Sequence, residues 1–347
     1  MDNFYNRKDI NEYTFELTMS IPHDSFEKSY DLLLQEYTKD SDVKGFRKGK
    51  VPESLVNKEV KEVIKLEAFE RLAPMYINTA LNKEKLDPIA PPQYKSVPKF
   101  LDGLDVSFTV TVTTMPKFKL GDTKGIKIKK EKVDISDKEI QDAIDELKNT
   151  QKTEESEVND KWAEEIGKII EVENVKTLTD LKERIKDALT KQKEHYQLHQ
   201  LQDEALRKGI EISNILIPQV AIDFEASERE KAFTEDMQSR GIKIEDFLKA
   251  NNITIEKMRE LWLKDAKDAL EADTFLNLYS QEKDVSVSDE ELEKKIDDIK
   301  KDQPNADKNI FTDMQWREYI RNIERKEKGF RLFIQEVLGD EFVDEHN

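Results

Sequence analysis

From Asn159 to the C-terminus the apolar residues fall at intervals of three and four, the spacing of helices that each bury one narrow stripe. Leu178, Leu181, Ile185, Ala188 and Leu189 begin one stripe, expected to reach about Lys208. Ile255, Met258, Leu261, Trp262, Ala266, Leu270, Phe275, Leu276, Leu278 and Tyr279 mark a longer one. Stripes this narrow cannot share one wide spherical core. They favour helices paired along their lengths by short connections, as hairpins that project as arms. Composition points the same way, with 38% charged and 37% hydrophobic residues and a mean hydropathy of -0.78. Ten Gly and ten Pro in 347 residues supply little of the turn chemistry that a many-stranded fold requires.

Local signals punctuate this helical region. Pro218 is placed to open a helix carrying Val220, Ile222, Phe224, Phe233 and Met237, and Gly241 to break it. Phe247 and Leu248 mark a short helix. Ser288 with Glu291 forms a capping box ahead of Leu292 and Ile296. Trp316, Tyr319, Ile320, Ile323, Phe330, Phe333, Ile334, Val337 and Leu338 define the last helix.

The first 115 residues read differently. Tyr13, Phe15, Leu17 and Met19 alternate with polar residues, as do Leu104, Val106, Phe108, Val110 and Val112, so two half-buried strands are expected. Between them a helix should start at an Asp24/Glu27 capping box and run to about Lys39. A second should run from Pro52 through Ala80, with Pro88, Pro91 and Pro92 stiffening its exit. Residues 1–115 are thus expected to form an α+β domain, two helices on an antiparallel sheet. An extended stretch follows over 116–133, ending in Ile126-Lys-Ile-Lys-Lys-Glu-Lys-Val133. Ser136 and Glu139 cap a helix through Leu147, and Lys148–Val158 reads as a linker. The expected organisation is 1–115, a connector over 116–158, and an elongated all-α domain over 159–347.

One loop stands out. Gly45-Phe46-Arg47-Lys48-Gly49-Lys50-Val51-Pro52 sets three cations and an aromatic between two glycines, which permit a sharp turn. Arg47, Lys48 and Lys50 can contact phosphate oxygens, and Phe46 can enter an apolar pocket or stack on a base. Net charge is -18, of which residues 1–120, with 18 Lys+Arg and 19 Asp+Glu, carry only -1. So acidic a chain is no general nucleic-acid coat, and contact with RNA is confined to a local patch.

Other chemistry is not supported. Gly45–Lys50 is one residue short of a phosphate-binding loop and lacks the following Ser/Thr. His195 and His199 have the i, i+4 spacing that can hold zinc, yet Tyr196 stands where a catalytic Glu would be, and no third ligand is evident. A solvated helix face is the better reading. With no Cys there is no disulfide or thiolate site. No cofactor, metal or catalytic residue is assigned. Met1–Ile10 is polar and no run reaches the ~20 apolar residues of a membrane helix, so a cytoplasmic protein is expected.

The octapeptide Gly45–Pro52 resembles, at all eight positions, the ribosome-docking signature of the bacterial trigger factor family. The resemblance extends over nearly the whole chain, including the turn Asp284-Val-Ser-Val-Ser-Asp-Glu-Glu291 between helices. It implies a ribosome-binding domain, a connector and a helical substrate-holding domain that cradles unfolded chains. Gly45, Phe46, Arg47, Lys48, Gly49 and Lys50 would dock on rRNA and a ribosomal protein at the tunnel exit. Phe224, Phe233, Met237 and Trp262 would offer apolar area to nascent and unfolded polypeptides, and the exposed arms make a homodimer of the free protein plausible. Family members usually carry a peptidyl-prolyl isomerase domain of ~100 residues after the helix near Leu147, where this chain has a bare linker. The expected function is therefore an ATP-independent chaperone without enzyme activity. The alternatives are an isomerase with a reduced module and a helical scaffold whose basic loop meets another anionic partner.

Overall fold

A computed structural model describes residues 4–39, 56–96, 98–304, 307 and 309–343. It divides into two compact units, Met1–Lys117 with Leu216–Leu270, and Phe118–Ile215 with Glu271–Asn347.

In the first unit, strands β1 (Tyr5–Asp9), β2 (Thr14–Ile21), β3 (Gln93–Tyr94) and β4 (Val106–Thr113) form an antiparallel sheet in the order β1-β2-β4-β3. The β2–β4 register sets Leu17 opposite Val110 and Met19 opposite Phe108. Period-two alternation therefore puts Leu17, Met19, Ile21, Val106, Phe108, Val110 and Val112 on one face, buried against helices α1 (His23–Lys39) and α2 (Lys58–Glu84). The opposite face is polar, and the Thr18 and Thr109 hydroxyls hydrogen bond across it at 3.1 Å. This is the expected pair of helices on an antiparallel sheet.

Two helix starts differ from expectation. Helix α1 begins one residue before Asp24, at His23, whose N–H donates to Asp105 Oδ1 at 3.0 Å, so the residue just before β4 satisfies a donor there. Helix α2 begins at Lys58, with the Asn57 side chain accepting from the Glu59 N–H, while Pro52 lies outside the described residues. Strand β1 has no periodic signal, because Arg7, Lys8 and Asp9 hide its alternation. It is held by Glu84, which accepts from the Tyr5 hydroxyl at 2.6 Å and from Arg7 Nη1 at 2.8 Å. These two donors, Tyr5 foremost, keep the Glu84 carboxyl below its usual range. The Arg7 guanidinium also covers the Phe15 ring at 4.3 Å.

The same unit contains α6 (Gln219–Ser239), α7 (Ile244–Ala250) and the first half of α8 (Ile255–Glu282). Pro218 stands at the N-cap of α6, and Gly241, at φ +69°, follows its end.

The second unit is built from α3 (Asp137–Thr150), α4 (Asp160–Ile169), α5 (Leu178–Ile212), the end of α8, α9 (Asp289–Asp302) and α10 (Met314–Val337). Capping boxes start α3 at Ser136/Glu139 and α9 at Ser288/Glu291, as the spacing predicts. Both glutamates are held down to about 2, Glu139 first by Lys193 and Glu291 first by Lys328, with the serine donors next. Helix α3 continues to Thr150, so the linker occupies 151–159 rather than 148–158. Helix α4 is not marked by a long stripe, yet its Trp162 is buried among Ile140, Ile144, Ile166, Leu181 and Ile185.

Where α5 and α8 meet, Gly209 lies against the Phe275 ring, and a Cβ there would stand 2.5 Å from Phe275 Cζ. Phe275 has no room to yield: it is fully buried and packed edge-on to Phe333 at 4.9 Å between centroids. Gly209→Ala is expected to lower unfolding free energy by about 1–3 kcal/mol, the range for overpacking, as read from urea or thermal melts, despite the higher helix propensity of alanine.

Candidate functional site

The basic octapeptide falls in the segment between α1, which ends at Lys39, and α2, which starts at Lys58. Gly45–Lys50 themselves lie outside the described residues. Their frame is described: α1 and α2 pack through Tyr30, Leu33, Ile64, Ala68 and Phe69, and Arg71 reaches across to Glu36 at 3.2 Å. Phe69 anchors an aromatic group, edge-on to Phe108 at 5.0 Å and to Phe100 at 6.4 Å.

The four apolar residues singled out on the arm all sit on α6 and α8, but in different environments. Ile222, Ala226, Phe233 and Met237 fall on one face of α6, spaced for packing. Trp262, Ala266 and Leu270 form the matching stripe of α8, and Ile222, Ala226 and Ala266 are the buried centre. Phe233 lies 5.2 Å from Phe247 of α7 and 5.5 Å from Trp262, so these three rings form one cluster, with Phe233 and Trp262 half-buried. Met237 is buried. Phe224 is on the far side of α6 from Ile222 and is exposed.

Beside the ring cluster is a small open cavity of about 160 Å³, bordered by Asp223, Ala226, Ser227, Glu230, Arg259, Trp262 and Leu263. Arg259 closes one side by a fork onto Glu230, with Nη2 donating at 2.7 Å and Nε at 3.1 Å. That pairing holds the Arg259 guanidinium above its ordinary pKa. Leu216, Ile242, Leu261 and Leu263 add exposed apolar area in the same segment, Leu216 at 75% exposure. Spacing places Leu261 in the packing stripe and does not single out the other three. Their signal is position: Leu261 and Leu263 flank Trp262 on either side of the stripe, and Leu216 and Ile242 adjoin the helix breaks at Pro218 and Gly241. The arrangement can bury apolar groups over a dispersed surface of mixed charge. It supplies no group poised for bond chemistry.

His195 and His199 are exposed on α5, with their Nε2 atoms 3.3 Å apart. Among the described residues no group of three or more His, Asp or Glu is arranged to hold a metal ion, and no helix is long and apolar enough to cross a membrane. Between α3 and α4, Glu165 Oε2 accepts from the N–H groups of Glu154 and Glu155 at 3.0 and 3.2 Å, which pins the linker onto α4.

Because Trp262 packs half-buried against Phe233, Trp262→Ala is expected to cost about 2–3 kcal/mol, somewhat below the range for fully buried tryptophans. Phe224→Ala should cost under ~0.5 kcal/mol. Chemical denaturation of the two variants side by side tests this.

Comparison with known proteins covers most of the chain. A family model described as bacterial trigger factor protein matches residues 5–147, and one for the trigger factor C-terminus matches residues 177–334. A trigger factor from Halothermothrix orenii is 23% identical over 421 aligned positions, spanning 96% of each chain. One from Staphylococcus aureus is 36% identical over 130 residues, 37% of this chain and 30% of that one. A solved trigger factor structure, from a study of promiscuous substrate recognition in folding and assembly by that chaperone, superposes with a TM-score of 0.53 at 17% identity, covering 95% of this chain and 99% of that one.

Proposed function

The chain belongs to the bacterial trigger factor family, and from that premise we propose that it is an ATP-independent holdase that docks at the ribosomal tunnel exit. The observation that carries the docking half is the octapeptide Gly45–Pro52, eight of eight positions of the family signature, in the connection between α1 and α2. Arg47 and Lys48 contact rRNA phosphates or acidic side chains, Phe46 buries against a ribosomal protein, and Lys50 adds charge while Gly45 and Gly49 permit the turn. The holding half rests on the α6–α8 segment. There Phe224, Leu261 and Leu263 are exposed and Trp262 and Phe233 half-buried, so a client gains area from many small contacts. Weak distributed contact also allows release without nucleotide hydrolysis. Nascent and unfolded polypeptides are the partners, in the cytoplasm, and the same exposed area supports a dimer of the free protein.

The family's isomerase activity is not carried over. Residues 151–159 connect α3 to α4 directly, and nine residues cannot build an aromatic-lined prolyl pocket.

Replacing Phe46, Arg47 and Lys48 together by alanine is expected to abolish co-sedimentation with ribosomes while shifting stability by under ~0.5 kcal/mol. Wild-type pelleting by that variant would refute the assignment of the loop. In a chymotrypsin-coupled assay on a short proline peptide, the purified chain should leave the slow isomerisation, tens of seconds when uncatalysed, at its background rate. Saturable acceleration would favour the reduced-isomerase alternative.

A further inference from the structure

The stretch Lys119–Lys132 holds six lysines and two acids, Asp122 and Glu131, in a chain of net charge -18. The structure shows why those lysines face outward. After a single 3₁₀ turn at Thr123–Gly125 the chain runs without helix or strand along α5, in the opposite direction. Three α5 side chains hold its carbonyls: Lys208 Nζ donates to Lys127 O at 2.8 Å, Gln197 Nε2 to Glu131 O at 2.7 Å, and Lys193 Nζ to Asp134 O at 3.0 Å. The fifteen helical residues from 193 to 208 rise about 22 Å at ~1.5 Å each. The seven from 127 to 134 cover about 23 Å at ~3.3 Å each, so the strip is fully extended between its ties. An extended chain alternates its side chains. Leu120, Ile126, Ile128 and Val133 are half-buried, whereas Lys119, Lys124, Lys127, Lys129 and Lys132 are exposed.

Nearby charges do not cancel this row. Lys130 is turned to structural use, donating to Leu338 O and Glu341 and lying over the Phe342 ring at 4.0 Å. From α10, Glu336 accepts from Lys283 and Thr123 and lies near Lys124. From α5 and α3, Glu204 pairs with Lys208 and Glu139 with Lys193. Within the strip, Lys129 meets only Glu131, at 3.4 Å. Lys119, Lys127 and Lys132 have no ion pair among the described residues.

We propose that the strip Lys119–Lys132 is a second RNA contact, a row of ammonium groups that follows the phosphodiester backbone of ribosomal RNA. This rests on the ribosome-docking reading of the chain but uses none of the octapeptide. Lysines on a pinned extended backbone present point charges at regular intervals, which suits a phosphate chain and carries no base specificity. Outside the octapeptide and this row the protein is acidic and repels RNA, so the row orients the bound chain rather than coating it.

The test uses the full chain with Lys119, Lys127, Lys129 and Lys132 changed together to Ser, and in a second variant to Arg. Circular dichroism melts check that both fold. The serine variant should bind ribosomes at least about tenfold more weakly at low salt. Its dependence of log affinity on log salt should be shallower by about 3–4, roughly 0.7–0.9 for each of the phosphates that the lysines no longer neutralise. The arginine variant should match wild type. A fluorescent 20-nucleotide single-stranded RNA should show the same ranking by anisotropy. Unchanged ribosome affinity and slope in the serine variant would overturn the proposal, as would equal displacement of the RNA probe by poly-glutamate, which would mark a general anion surface. The octapeptide alanine variant separates the two readings. If it still binds ribosomes and the serine variant does not, the docking assignment fails and the strip stands.

Discussion

Close packing at crossings between helices is the constraint on which the second unit depends. Its stripes are narrow, so each crossing must be tight to bury enough. At the α5–α8 crossing Gly209 gives up its side chain so that Phe275 can lie against the helix backbone, and Phe275 in turn meets Phe333 of α10 and Tyr279 of α8. Tyr279 is buried with its phenol pushed far up by that burial and by the Glu336 carboxylate, so it stays neutral and packs as an aromatic. Glu336 then takes Lys283 and Thr123 as donors, tying the end of α8 and the start of the connector to α10. These side chains join three helices, and Arg325 on Asn277 and Lys326 on Asp273 tie α10 to α8 further along.

The remaining apolar area is divided among small clusters rather than gathered. The sheet domain has its own core, α3–α5 another around Trp162, α9 and α10 a third around Leu292 and Ile296, and α6 with α8 a fourth around Ala266. Division of this kind leaves apolar side chains at the margins of each cluster. Phe224, Leu261 and Leu263 are such residues, and the function proposed for the arm uses them.

Periodicity makes most of this legible. The strands around Leu17 and Val110, the capping boxes at Ser136 and Ser288, and the breaks at Pro218 and Gly241 each have a local cause, and a sequence states local causes directly. The features that periodicity does not reveal have a distant cause. Strand β1 pairs with β2 along its length and is tied to α2 by Glu84, some eighty residues away, which accepts from Tyr5 and Arg7, and α1 begins where Asp105 provides an acceptor. Helix α4 is too short for a long stripe and is secured by the burial of Trp162, Ala163 and Ile166 against α3 and α5. At the arm, spacing sets Phe224 on the opposite face of α6 from Ile222, Ala226, Phe233 and Met237, but it does not say which of the two faces is covered. Only the partner helix decides which face is covered.

The joint between α3 and α4 has a consequence for how such a chain changes over time. Both flanking helices are committed to the same core, through Ile140 and Ile144 on one side and Trp162 and Ile166 on the other, and Asn159 caps α4 from within the linker. The two ends of the nine-residue connection are therefore fixed chiefly by the helices that flank it. Lengthening that loop about elevenfold, to ~100 residues, adds only about 2 kcal/mol of closure entropy. A folded insert whose own ends lie close together would add less. The position behaves as a socket: a module can be gained or shed there in one step, and the surrounding helices need no repacking.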